Sequence, residues 1–131
     1  MKLVIDRTRW LRGEKDSFLL RELDDKMCCL GFYCIARELL EEDIEDKSDP
    51  SEVVETIKLN KHHPKNKIKD LITPLYGQES WNKTEILAWD NNYVCKKLMG
   101  VNDDDEITEN EREKEIAGLF TSINTEVEFI N

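Results

Sequence analysis

The chain has 131 residues, the size of one domain, and 37% of them are charged, so a single hydrophobic core is expected beneath a largely ionic surface. A formal net charge of −10, from 29 acidic against 19 basic residues, repels nucleic-acid phosphates and anionic membranes, which argues against direct nucleic-acid or membrane binding. No stretch approaches the ~18 consecutive apolar residues that a membrane-spanning helix needs.

Met1 to Arg7 brings acid and base before any apolar run of signal-peptide length, giving the expectation of a cytoplasmic protein. In that compartment Cys28, Cys29, Cys34 and Cys95 are expected to be reduced thiols.

In chain order, residues 2–5 form a short β-branched run ended by Asp6 and read as a strand. Asp24 and Asp25 are placed to cap a helix whose apolar residues Met27, Leu30, Cys34, Ile35 and Leu39 recur at helical spacing up to about Leu40. Gly31, inside that helix, marks a place where another backbone comes close. Residues 41–49, with Pro50 behind them, are charged and lack apolar periodicity, so they are expected to leave the core as a loop.

A short helix is expected over 51–59, while the segment from Lys61 to Ser80, with two of the three prolines, receives no assignment. A further helix is expected from Thr84 to Met99, burying Leu87, Tyr93, Val94 and Leu98 and stopped by Gly100. Thr108 and Glu111 have the spacing of a capping box, and Ile116, Leu119, Phe120 and Ile123 form the apolar stripe behind it. Finally, residues 126–130 alternate charged and apolar side chains with the period of a strand. Neither terminal strand is stable alone, so the expectation is a single α+β domain over residues 1–131. Its small sheet pairs the N- and C-terminal strands and packs against about three helices.

Charge is unevenly placed. Residues 41–55 carry eight carboxylates and one lysine, 103–115 carry eight carboxylates and two basic residues, and 58–69 carry five lysines and both histidines. The acidic runs make Glu41, Glu42, Asp43, Glu45, Asp46, Asp103, Asp104, Asp105 and Glu106 the candidate interaction surface.

Three kinds of chemistry compete with this reading. The 102–106 run invites calcium, but Ile107 stands where an EF-hand needs a ligand and no glycine follows, so a solvated loop leading into a helix fits better. Four cysteines and the His62–His63 pair contain the right donors for zinc but no C-x2-C spacing, which favours buried structural thiols. Cys28 or Cys29 near a helix N-terminus, with His62 or His63 as base, is the sharpest enzymatic reading, and it lacks an orienting third residue. No cofactor is implied. Trp10, flanked by Arg9 and Arg12, reads as a packed tryptophan beside salt-bridging arginines, and Trp81 and Trp89 as core anchors.

The strings Val4-Ile5-Asp6-Arg7-x-x-Trp10-Leu11-Arg12-Gly13-Glu14, Leu19-Leu20-Arg21 and Lys26-Met27-Cys28-Cys29-Leu30-Gly31-Phe32 resemble the opening of a group of small phage and prophage proteins. Leu98-Met99-x-Val101-Asn102-Asp103-Asp104, Glu111-Arg112-Glu113 and Glu126-Val127-Glu128-Phe129 resemble the close of the same group. The resemblance implies a phage setting within a bacterial host and transfers no catalytic residue. By analogy it implies an accessory protein that binds a host or phage protein with a basic surface, such as an inhibitor of host defence of the anti-CRISPR or nucleic-acid-mimic type. The alternatives are a thiol- or metal-dependent enzyme built on Cys28, Cys29, His62 and His63, and a structural or assembly component of the particle.

Overall fold

The structure is a computed structural model that describes residues 1–15, 17–53, 71, 73–77 and 93–131. Strand β1 (Lys2–Asp6) and strand β2 (Glu126–Ile130) pair in parallel, with Leu3 opposite Val127 and Ile5 opposite Phe129. The fold is α+β, and its sheet joins the two ends of the chain as expected. Period-two alternation explains which face is buried: Leu3 and Ile5 are buried and Val127 and Phe129 pack on the core, while Lys2 and Glu128 pair across the outer face at 2.8 Å. A two-stranded sheet is marginal by itself, so its inner face depends on the helices beneath it.

Helix α1 (Cys29–Ala36) is the centre of that layer, with every residue from Cys29 to Cys34 buried. A helix that is apolar all round belongs inside a fold. Met27, Leu30, Cys34 and Leu39 are buried as expected, but the helix begins at Cys29 and ends at Ala36 rather than near Leu40, and Asp24 and Asp25 do not cap it. Asp24 instead binds Arg21 and the Lys26 N–H, Asp25 takes φ 57°, and both close a turn well before the helix begins. Gly31 meets the expected neighbour: a Cβ there would lie 1.8 Å from the Leu19 carbonyl oxygen. A side chain at this position is sterically forbidden by another backbone.

Residues 41–49 do not leave the core. Helix α2 (Glu41–Ile44) is a single turn that buries Asp43 and Ile44, and Leu20 forms an isolated bridge to Glu45 just beyond it. The Leu19 N–H donates to the Lys47 carbonyl at 2.8 Å, and the Asp46 N–H to the Leu20 carbonyl at 2.8 Å. One apolar residue, Ile44, is enough to pull a charged segment inward when backbone pairing holds both its flanks. Residues 50–53 are helical and Val53 is buried, while the rest of the helix expected over 51–59 lies outside the described residues.

Helix α3 (Val94–Asp103) runs through Gly100 rather than stopping there, and burial is concentrated at Cys95, Leu98 and Asn102. The expected earlier part of that helix, with Leu87, Trp81, Trp89 and the His62–His63 pair, lies outside the described residues. Helix α4 (Glu109–Thr121) starts where the capping box places it, with the Glu111 N–H donating to Thr108 Oγ1 at 3.2 Å. Its stripe is as expected: Ile116 and Phe120 are fully buried, Leu119 and Ile123 partly so, and Phe120 stacks on Tyr33 at 5.6 Å. Among the described residues, no helix is long and apolar enough to cross a membrane.

Candidate functional site

Three strings that are far apart in sequence converge on one buried polar cluster. Asn102, 1% exposed near the end of α3, accepts the Trp10 indole N–H at 2.8 Å and the Cys29 N–H at 3.0 Å on its Oδ1. Its Nδ2 donates to the Leu11 carbonyl at 3.0 Å and to Asp103 Oδ1 at 2.9 Å. Helix α1 has no side-chain cap of its own, because Cys28 stands at the N-cap. Asn102 supplies it from 73 residues away.

The same logic closes the C-terminal end of α3. Arg112, 2% exposed on α4, donates from Nη1 to the Val101 and Asn102 carbonyls at 2.7 and 2.9 Å, satisfying two acceptors that the helix leaves unpaired. Gly13 N–H adds a third bond to Asn102 O at 2.8 Å. Arg112 belongs to the Ile116–Phe120 stripe by spacing, yet nothing in a sequence marks one arginine among several as buried. The whole cluster is internally satisfied, and its chemistry is structural.

Trp10 is packed, as expected, with the Arg12 guanidinium 4.5 Å from its ring centroid and Phe129 5.4 Å away. Arg12 pairs with Glu109 at 2.6 Å and Arg7 with Glu113 at 2.7 Å, pinning the chain after β1 to α4.

The four thiols are buried, and their titration runs opposite to that of an activated nucleophile. At Cys28, burial pushes the thiol up to about 12, outweighing the Gly31 and Leu30 N–H groups that pull it down. Burial also raises Cys29 and Cys34, and it carries Cys95 up to about 12, outweighing the hydrogen bond with the Tyr76 hydroxyl that pulls it down. Position at a helix N-terminus does lower a thiol pKa, but in a dry core desolvation is the larger effect.

The nine acidic candidates have different surroundings. Asp43 is removed from the surface: it is 3% exposed, and its Oδ2 accepts the Leu40 N–H at 3.0 Å. Asp103 is half-buried and accepts from Ser17 at 2.5 Å as well as from Asn102. Asp104 closes its own turn by accepting the Glu106 N–H at 2.8 Å, so its carboxylate is occupied by the loop itself. Glu41, Glu42, Glu45, Asp46, Asp105 and Glu106 stand exposed, with Glu41 lying 3.8 Å from Arg9.

Of these, Glu45 and Asp46 join a residue that charge counting along the chain misses. The Leu20–Glu45 bridge carries Glu22 alongside them, and the Glu22 N–H donates to Asp46 Oδ1 at 3.2 Å. Carboxylate oxygens of Glu22, Glu45 and Asp46 lie within 4.8 Å of one another, the one such grouping of potential metal ligands among the described residues. Partial desolvation, and then the charges of Glu22, Asp46, Asp25 and Glu41, hold the Glu45 carboxyl above its ordinary range. Negative charge is therefore concentrated here. No protein-family model, curated protein or solved structure matches this chain.

Proposed function

We propose that this chain is a phage-encoded accessory protein that acts by binding a host or phage protein with a basic surface, in the manner of an inhibitor of host defence. The observation that carries the reading is the exposure of Glu41, Glu42, Glu45 and Asp46 along one acidic segment, with Glu45 and Asp46 grouped beside Glu22, in a protein with net charge −10. Like-charge crowding of this kind opposes folding, and a cationic partner relieves it while being steered to the surface. Complete burial of Cys28 and Cys29, with their thiols held protonated, weighs against the alternative of a thiol enzyme.

The test uses the purified protein as bait in bacterial extract at low and high salt, beside a bait in which Glu41, Glu42 and Glu45 are changed to Gln and Asp46 to Asn. A partner retained by the first bait, lost by the second and released by salt supports the reading. Equal capture by both baits, or capture indifferent to salt, overturns it. A stable homo-oligomer with no such partner would favour a particle component instead.

A further inference from the structure

Most of the large apolar side chains described are buried or half-buried, and Leu23 is the extreme exception at 88% exposed. It stands on a rigid turn rather than a loose one. The Arg21 N–H donates to the Lys26 carbonyl and the Asp25 N–H to the Arg21 carbonyl, each at 2.8 Å, while Arg9 holds the Asp25 carbonyl from outside at 3.0 Å. An apolar group displayed on a fixed backbone costs little ordering entropy when a partner covers it.

Beside Leu23 lies a shallow groove of about 730 Å³ lined by Phe18, Arg21, Glu22, Leu23 and Asp46. The Glu22 N–H bond to Asp46 Oδ1 ties the turn that carries Leu23 to the residues after α2. Among the described lining residues Arg21 is the one cation, and its guanidinium is already committed to Asp24 at 2.7 Å and Glu14 at 3.1 Å. Among the described residues no cation pairs with Glu22, Glu45 or Asp46, whose carboxylate oxygens converge.

We propose that this groove, with Leu23 at its lip, the Glu22 and Asp46 carboxylates along its wall and Glu45 grouped with them, docks a basic segment of a partner protein that carries an apolar residue beside its Lys or Arg side chains. Charge complementarity selects the cationic part, and Leu23 demands the apolar part. Leu23, exposed beside these carboxylates, gives the face an apolar contact next to its charged ones. This inference rests on the acidic-surface reading and narrows it to one face and one kind of ligand.

The experiment is a titration of the full chain, isotopically labelled for amide NMR, with two synthetic peptides of equal charge, one of lysine and leucine and one of lysine and serine. The lysine–leucine peptide is expected to shift amides of residues 18–26 and 44–47 and to bind about tenfold more tightly than the serine form, which is the effect of covering one leucine. Leu23→Ser should abolish that tenfold preference while leaving the weaker charge-driven binding intact. Glu22→Gln combined with Glu45→Gln and Asp46→Asn should weaken both peptides, and Asn at position 46 still tolerates its φ of 55°.

If both peptides bind equally, or the shifts centre on Asp105 and Glu106, the groove assignment is wrong and the acidic-surface reading stands. If neither peptide binds at low salt, both fall.

Discussion

Truncating Asn102 to alanine removes the acceptor that serves two buried donors at once, the Trp10 indole N–H and the Cys29 backbone N–H. Each buried donor left without a partner costs about 1–3 kcal/mol, so the pair costs about 2–6 kcal/mol before any relaxation. Water entering the vacated space recovers part of this, which puts the net loss at about 3 kcal/mol, a large share of the ~5–15 kcal/mol that holds a domain together. Urea unfolding followed by tryptophan fluorescence measures it as a lower midpoint at unchanged slope.

A double-mutant cycle isolates the mechanism. Trp10→Phe deletes one of the two donors, so in that background Asn102→Ala should cost at least about 1 kcal/mol less than it does alone. A loss below about 1 kcal/mol for the single variant, or the same loss in both backgrounds, would show that Asn102 is not the hub described here.

Gly31→Ala should destabilise by at least about 2 kcal/mol, because its Cβ meets the Leu19 backbone, whereas Gly118→Ala on the open face of α4 should stabilise by up to about 1 kcal/mol; thermal unfolding of the two variants reads the opposite signs. Cys28, Cys29, Cys34 and Cys95 should resist iodoacetamide in the native protein at pH 8 and all react in urea, as counted by mass spectrometry, and rapid native labelling of any of them would contradict its burial. Because the folded Cys28 and Cys95 thiols titrate near 12 and unfolded ones near ~8.5, these groups contribute stability that is full below pH ~8.5 and lost as pH rises toward 12. Asp24, held down to about 2 mainly by its hydrogen bonds from Arg21, contributes stability above its unfolded pKa of ~3.9 that disappears as pH falls toward 2; in Arg21→Ala its carboxyl resonance should titrate close to the ordinary value, and an unmoved titration would assign the shift to something else.

Local patterns determined a definite part of this protein. Alternation over residues 126–130 and the β-branched opening run specify two strands with one apolar face each, and the spacing from Thr108 to Glu111 sets the start of α4, because strand period and helix capping are decided by residues a few positions apart. Gly31 was legible for the same reason: a glycine amid good helix formers implies that something stands where a side chain would be.

What the tertiary structure alone decided are the long-range partners. The cap of α1 comes from Asn102 and that of α3 from Arg112, while the nearby Asp24 and Asp25, of a residue type favoured at caps, are used in a turn instead. The acidic wall is likewise a product of pairing, since Glu22 joins Glu45 and Asp46 through the Leu20–Glu45 bridge, while Asp43, inside the first acidic run, is buried. Charge counted along a chain predicts where carboxylates are dense; which of them share one surface depends on backbone hydrogen bonds between segments that no local pattern encodes.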